Sequence, residues 1–128
     1  MEIETQETQS RYGTVNFEKR KHPRFSVDLP VEYYKIGSPV KHNGRAMNAS
    51  QGGLLLYFSE PLQIGQYLRL KLFLSSDSTL SAIETITEVA WTEIHLDEGG
   101  TYRTGGRFVD TSPKEMSKLK NFLLSLSH

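Results

Sequence analysis

The sequence predicts a mainly β fold, a barrel or sandwich of five or six strands with one α-helix at the C-terminal end. Three observations carry this expectation. Large apolar residues alternate with polar ones over Phe25–Tyr33 and again over Tyr67–Leu74, the period of a half-buried strand. Further runs rich in Val, Ile, Thr and aromatic residues lie between Gly, Pro, Asn and Ser turn signals. From Ser112 the apolar spacing changes to that of an amphipathic helix.

In the first strand Val27, Leu29, Val31 and Tyr33 alternate with Ser26, Asp28, Pro30 and Glu32. Pro30 falls on the outer face and argues for an edge position, because proline cannot donate to a ladder. Gly53–Phe58 (GLLLYF) is a short apolar run after a glycine pair. Leu68, Leu70, Leu72 and Leu74 share one face, opposite Tyr67, Arg69, Lys71 and Phe73, and form the clearest strand of the chain. Ile83–Ile94 is rich in Thr, Val and Ile, and Tyr102–Val109 is β-prone despite Gly105 and Gly106. Ser112-Pro113-Lys114-Glu115 supplies an N-cap, a proline at the first helical position and a glutamate able to complete a capping box. Met116, Leu119, Phe122, Leu123 and Leu126 then make an apolar stripe whose expected partner is the barrel.

At 128 residues the chain has the size of one domain. The 15 Lys and Arg residues are matched by 15 Asp and Glu, so no global positive field draws the protein onto long nucleic acid, and any anion site must be local. There is no cysteine, which removes disulfides, thiolate metal sites and a cysteine nucleophile. No apolar stretch approaches the roughly 18 residues that span a bilayer, and the acidic start MEIETQETQ is unlike a secretory signal. The expected compartment is the cytoplasm, with no membrane association. Residues 1–17 have few large apolar groups and are expected to form a flexible tail before a single domain over 18–126.

Enzyme constellations are missing from the sequence. His22, His42, His95 and His128 have no metal-ligand spacing, and neither a phosphate loop nor a dinucleotide fingerprint occurs. No metal or cofactor is expected, and no catalysis. Two segments stand out instead. Lys19-Arg20-Lys21-His22-Pro23-Arg24 is a basic cluster with two arginines four apart, and Asn48-Ala49-Ser50-Gln51-Gly52-Gly53 precedes the GLLLYF strand. Pro23 disfavours helical angles at His22, so the arginines belong on a loop or extended stretch. Extended, their Cα atoms lie up to roughly 13 Å apart, wide enough to flank a compact ligand. A guanidinium fork can pair with phosphate oxygens or guanine O6 and N7 and can stack on a purine. Asn48 and Ser50, two apart, share one face if both lie on a strand. Gly53 lets the backbone turn sharply and a ligand approach closely. The blander reading is that Asn48 and Ser50 merely satisfy turn backbone.

These segments resemble the RxxxR and D/NxSxxG signatures of PilZ domains, and the remaining strands and closing helix fall in that family's order over roughly residues 18–126. The resemblance implies a six-stranded antiparallel β-barrel with a C-terminal helix. It further implies a non-enzymatic receptor for the second messenger cyclic di-GMP, with Lys19, Arg20, Arg24, Asn48, Ser50 and Gly53 as the ligand set. In this reading the N-terminal arginine segment closes onto the barrel and a downstream protein partner reads the result. Asn48 stands where Asp is frequent, and its uncharged carbonyl makes a weaker acceptor. Lys19 either meets a second ligand molecule or faces water. The resemblance also allows Trp91 a place beside the ligand, as in some similar domains, but an aromatic on a barrel strand is more often core, and Trp91 is left out of the site. Two alternatives are a PilZ-like adaptor that binds a protein without nucleotide and a barrel that binds single-stranded nucleic acid; the zero net charge disfavours the second.

Overall fold

The computed structural model describes residues 22–76, 79–95 and 101–126. Six strands, β1 (Phe25–Lys35), β2 (His42–Ala49), β3 (Gly53–Phe58), β4 (Tyr67–Ser76), β5 (Thr79–His95) and β6 (Thr101–Asp110), are followed by helix α1 (Pro113–Ser125). They form a closed barrel in the order β1-β2-β3-β6-β5-β4, with every neighbouring pair antiparallel. This is the six-stranded barrel with a C-terminal helix that the resemblance implied. The expected tail over 1–17, and Lys19 and Arg20 with it, lies outside the described residues.

Alternation explains most of the core. Leu29, Val31 and Tyr33 of β1 point inward, as do Leu68, Leu70, Leu72 and Leu74 of β4 and Leu54, Leu56 and Phe58 of β3, all buried. The strand β2 was not evident in the sequence, because its inward residues include the small Ala46 and Ala49. Closure leaves β1 with two neighbours, so it is not an edge strand along its whole length. The β1–β4 ladder nonetheless begins only at Val31. Pro30 pairs with Arg45 of β2 alone, where its missing donor removes no bond to β4.

The helix begins as expected at its cap. Ser112 Oγ accepts from Glu115 N at 3.2 Å with Pro113 in the first turn. The carboxylate of Glu115 does not close a capping box, however. It accepts from the backbone N–H of Glu84 on β5 at 2.8 Å and pairs with Lys118, while Lys118 Nζ donates to the carbonyl of Ala82 at 3.0 Å. Burial pushes this carboxyl up, but the Glu84 and Lys118 contacts outweigh it and the net shift is downward. The helix is thus clasped to β5 by polar contacts beside its apolar stripe. Leu119 and Leu123 are buried in the barrel core and Met116 and Phe122 pack against it. Leu126, the last of the predicted stripe, is the C-cap residue and stays exposed.

In the β3–β4 loop Leu62 is buried and joins the core. Glu60 pins this loop: its carboxylate accepts from Tyr33 Oη at 2.5 Å and from Lys35 Nζ at 3.0 Å, and lies 3.3 Å from His42 Nδ1. The Tyr33 hydrogen bond, aided by Lys35, holds the Glu60 carboxyl below the usual carboxylate range against the opposing effect of burial. Burial and the Glu60 hydrogen bond push the Tyr33 hydroxyl far up. Because the folded pKa of Glu60 is depressed, its stabilising contribution is present at neutral pH and is lost as pH falls through that lowered pKa. Tyr33→Phe is expected to destabilise the protein by about 1 kcal/mol at neutral pH and to flatten the loss of stability on acidification. Denaturant unfolding across a pH series measures both, and an unchanged acid slope would exclude Glu60 as its source.

Candidate functional site

The β1–β2 register brings the two sequence signatures together. Phe25 pairs with Ala49 and Ser26 with Asn48, so Arg24, one residue before β1, stands where the chain leaves β2. A cleft of about 270 Å³ opens there. His22 and Arg24 line it from the segment before β1, Asn48 and Ser50 from the β2 end, Gly53 from β3, Trp91 from β5 and Arg107 from β6. His22, Pro23 and Arg24 have no regular secondary structure, as the proline implied.

Asn48 faces outward because of a bulge. Across the β2–β3 ladder Ala46 pairs with Leu56 and Asn48 with Leu55, which leaves Met47 as an extra residue. Ala46 and Ala49 are both buried in consequence, and Asn48 is turned into the cleft. Ser50 does not share the strand with it. Ser50 lies in the β2–β3 turn, 8 % exposed, and its hydroxyl oxygen accepts from the N–H groups of Gly52 and Gly53 at 3.1 and 3.3 Å. The turn is also closed by Ser50 N donating to Gly53 O at 3.0 Å. Ser50 therefore shapes the cleft floor while satisfying turn backbone. Gly53 pairs with Arg107, and the face a side chain would occupy is filled by the Gly106 carbonyl of β6. Its missing Cβ serves a close approach of two backbones.

Trp91 is a correction to the sequence reading. Strict alternation from Ile83 through Val89 would point Trp91 inward. Across the β5–β6 ladder, however, Val89 pairs with Gly106 and Trp91 with Gly105, so Ala90 is bulged. The extra residue reverses the face. Trp91 is 38 % exposed, and its indole lies where a side chain on Gly105 would stand. The glycine that seemed to weaken β6 is what lets an aromatic wall lie flat on the cleft. Arg107 also went unassigned in the sequence; it follows Gly106, points outward and forms an ion pair with Glu88.

Among the described residues Arg24 and Asn48 make no side-chain hydrogen bond or ion pair with the protein. The cleft thus joins one unengaged guanidinium, one unengaged amide, a second guanidinium shared with a carboxylate, and an indole. Such a set can grip phosphate and planar base together. Among the described residues no group of three or more His, Cys, Asp or Glu could hold a metal ion, and no helix is long and apolar enough to cross a membrane.

The PilZ domain family model matches residues 18–125. The chain belongs to the PilZ domain family. Solved structures share the fold at low identity. The inhibitor of motility MotI/DgrA of Bacillus subtilis is 17% identical with a TM-score of 0.74, the alignment covering 87% of this chain and 52% of that one. The PilZ domain of YcgR from Escherichia coli, solved with c-di-GMP, is 18% identical with a TM-score of 0.67, covering 86% of this chain and 92% of that one. MrkH of K. pneumonia, solved as a c-di-GMP complex, is 18% identical with a TM-score of 0.71, covering 86% and 53%. This PilZ chain spans about half the length of MotI and MrkH and most of the isolated YcgR domain. A search of curated proteins gave no match.

Proposed function

We propose that this PilZ domain is a non-enzymatic receptor for cyclic di-GMP. Its ligand set is Lys19, Arg20, Arg24, Asn48, Ser50 and Gly53, joined by Trp91 and Arg107. The observation that carries the proposal is the cleft in which Arg24 and the Asn48–Gly53 turn, far apart in sequence, meet beside an exposed indole. Arg24 supplies a fork for phosphate or for guanine O6 and N7, Asn48 an acceptor for guanine N–H groups, and Trp91 a face for stacking. Ser50 and Gly53 hold the turn from which Asn48 projects. Arg20 and Lys19 close over the ligand from the N-terminal side, and ordering of that segment alters a surface read by a downstream protein partner. The YcgR domain and MrkH were solved with c-di-GMP, which supports the choice of ligand for a domain of the same family.

Isothermal titration tests this reading. Cyclic di-GMP is expected to bind, and cyclic di-AMP to bind at least about tenfold more weakly, since a donor replaces the O6 acceptor of each base. GTP and a short oligonucleotide serve as controls. Equal curves for the two dinucleotides would mean that only phosphates are read. No heat with any of them would leave the adaptor reading, and oligonucleotide binding alone would favour the nucleic-acid one.

A further inference from the structure

The ion pair between Arg107 and Glu88 is not explained by the receptor reading. Arg107 of β6 sits opposite Gly53 on one side and Glu88 of β5 on the other. Its side chain is exposed and lines the cleft. Its terminal NH2 group instead donates to Glu88 Oε1, across the ladder. The two side chains are 59 % and 24 % exposed, respectively. Glu88 itself does not line the cleft and reaches it only through Arg107. Its other ladder neighbour is Tyr67 of β4, and Arg69, the cation two residues along on the same face of that strand, lies over the Tyr34 ring of β1.

We infer that Glu88 is an intramolecular competitor for the anionic groups of the ligand, occupying the Arg107 guanidinium until a phosphate displaces it. The inference rests on the proposed binding of cyclic di-GMP in this cleft. In the free protein the carboxylate neutralises Arg107 and keeps it on the β5 side. A phosphodiester entering the cleft offers the same acceptor geometry, and the guanidinium exchanges one anion for another. The exchange is easy because the Arg107 guanidinium is largely open to water, which weakens its coupling to the carboxylate. It is not free of cost, since Glu88, mostly covered, is left beside an added negative charge. The site is thereby tuned below the affinity its cations could give.

The same ladder holds an internal control. Glu93 and Arg103 form a cross-strand pair at 3.0 Å, and neither lines the cleft. Titration of cyclic di-GMP into wild type, Glu88→Gln, Glu93→Gln, Arg107→Ala and the Glu88→Gln/Arg107→Ala double variant tests the competition, with the melting temperature of each recorded. Glu88→Gln is expected to bind about two- to fivefold more tightly than wild type, with the gain shrinking at high salt. The gain should vanish in the Arg107→Ala background, which a general structural effect of Glu88 would not do, and Glu93→Gln should bind as wild type does. Weaker or unchanged binding by Glu88→Gln overturns the competition, as does a gain that persists without Arg107. A wild-type protein that binds no cyclic di-GMP removes the receptor reading and this inference together, whereas a binding wild type with an unmoved Glu88→Gln removes this inference alone.

Discussion

Arg24→Ala is expected to weaken cyclic di-GMP binding by roughly 2–5 kcal/mol while leaving the melting temperature of the ligand-free protein unchanged. Both halves follow from where the side chain stands. Arg24 is exposed, precedes the first residue of β1 and has no side-chain partner among the described residues, so truncation removes nothing the fold uses. It also lines the cleft, so truncation removes a charge-assisted contact that no neighbour can replace. Arg20→Ala is expected to behave in the same way if the N-terminal segment closes as proposed. Arg24→Lys should recover only part of the affinity, because an ammonium can neither form the planar fork nor stack. Titration calorimetry and thermal unfolding on the same preparations measure both effects. Wild-type affinity in Arg24→Ala, or an unfolded variant, would remove Arg24 from the ligand set.

Most of the barrel was legible because its strands obey period two. Leu68 through Leu74 declare an inward face that the structure buries, and a one-residue slip would expose all four. Strand β2 was not legible: Ala46 and Ala49 are too small to mark a face, and the bulge at Met47 breaks the period between them. The capping box failed for a related reason. Local spacing permits Glu115 to fold back on its own helix, but the N–H of Glu84, brought near by tertiary packing, takes the carboxylate instead. Sequence patterns report local competition and do not report a partner delivered from 31 residues away.

The cleft shows the same division. Arg24 and Asn48 carry residue types whose chemistry suggests a ligand wherever they are placed, and the β1–β2 register sets them side by side. Trp91 was left out of the site because aromatics on barrel strands are more often core, and the single bulged residue Ala90 turns it outward instead. A signal existed in Gly105-Gly106, since a glycine pair inside a strand marks a bulge or a close approach. Arg107 carried no local signal at all. Its place at the cleft depends on Gly53 lying opposite it on one strand and Glu88 on another.

Gly53→Ala is expected to destabilise the protein by about 3 kcal/mol, near the top of the range for overpacking. The motif reading gives this glycine to the ligand, which would predict lost affinity with stability intact. The structure adds a place in the barrel to that reading. A Cβ at Gly53 would run into the carbonyl oxygen of Gly106 and stand 3.1 Å from its carbonyl carbon and 3.3 Å from Arg107 Cα. All three are backbone atoms of a hydrogen-bonded strand, so no side chain can swing aside to relieve the contact. β3 and β6 must part at the point where the Ser50–Gly53 turn ends and where Arg107 projects. Affinity should therefore fall as well, as a consequence of the displaced turn, even where the variant is fully folded. Denaturant unfolding paired with titration at low temperature separates the two accounts. An alanine variant with wild-type stability and lost binding would return the glycine to the ligand; loss of both assigns it to the approach of β3 and β6.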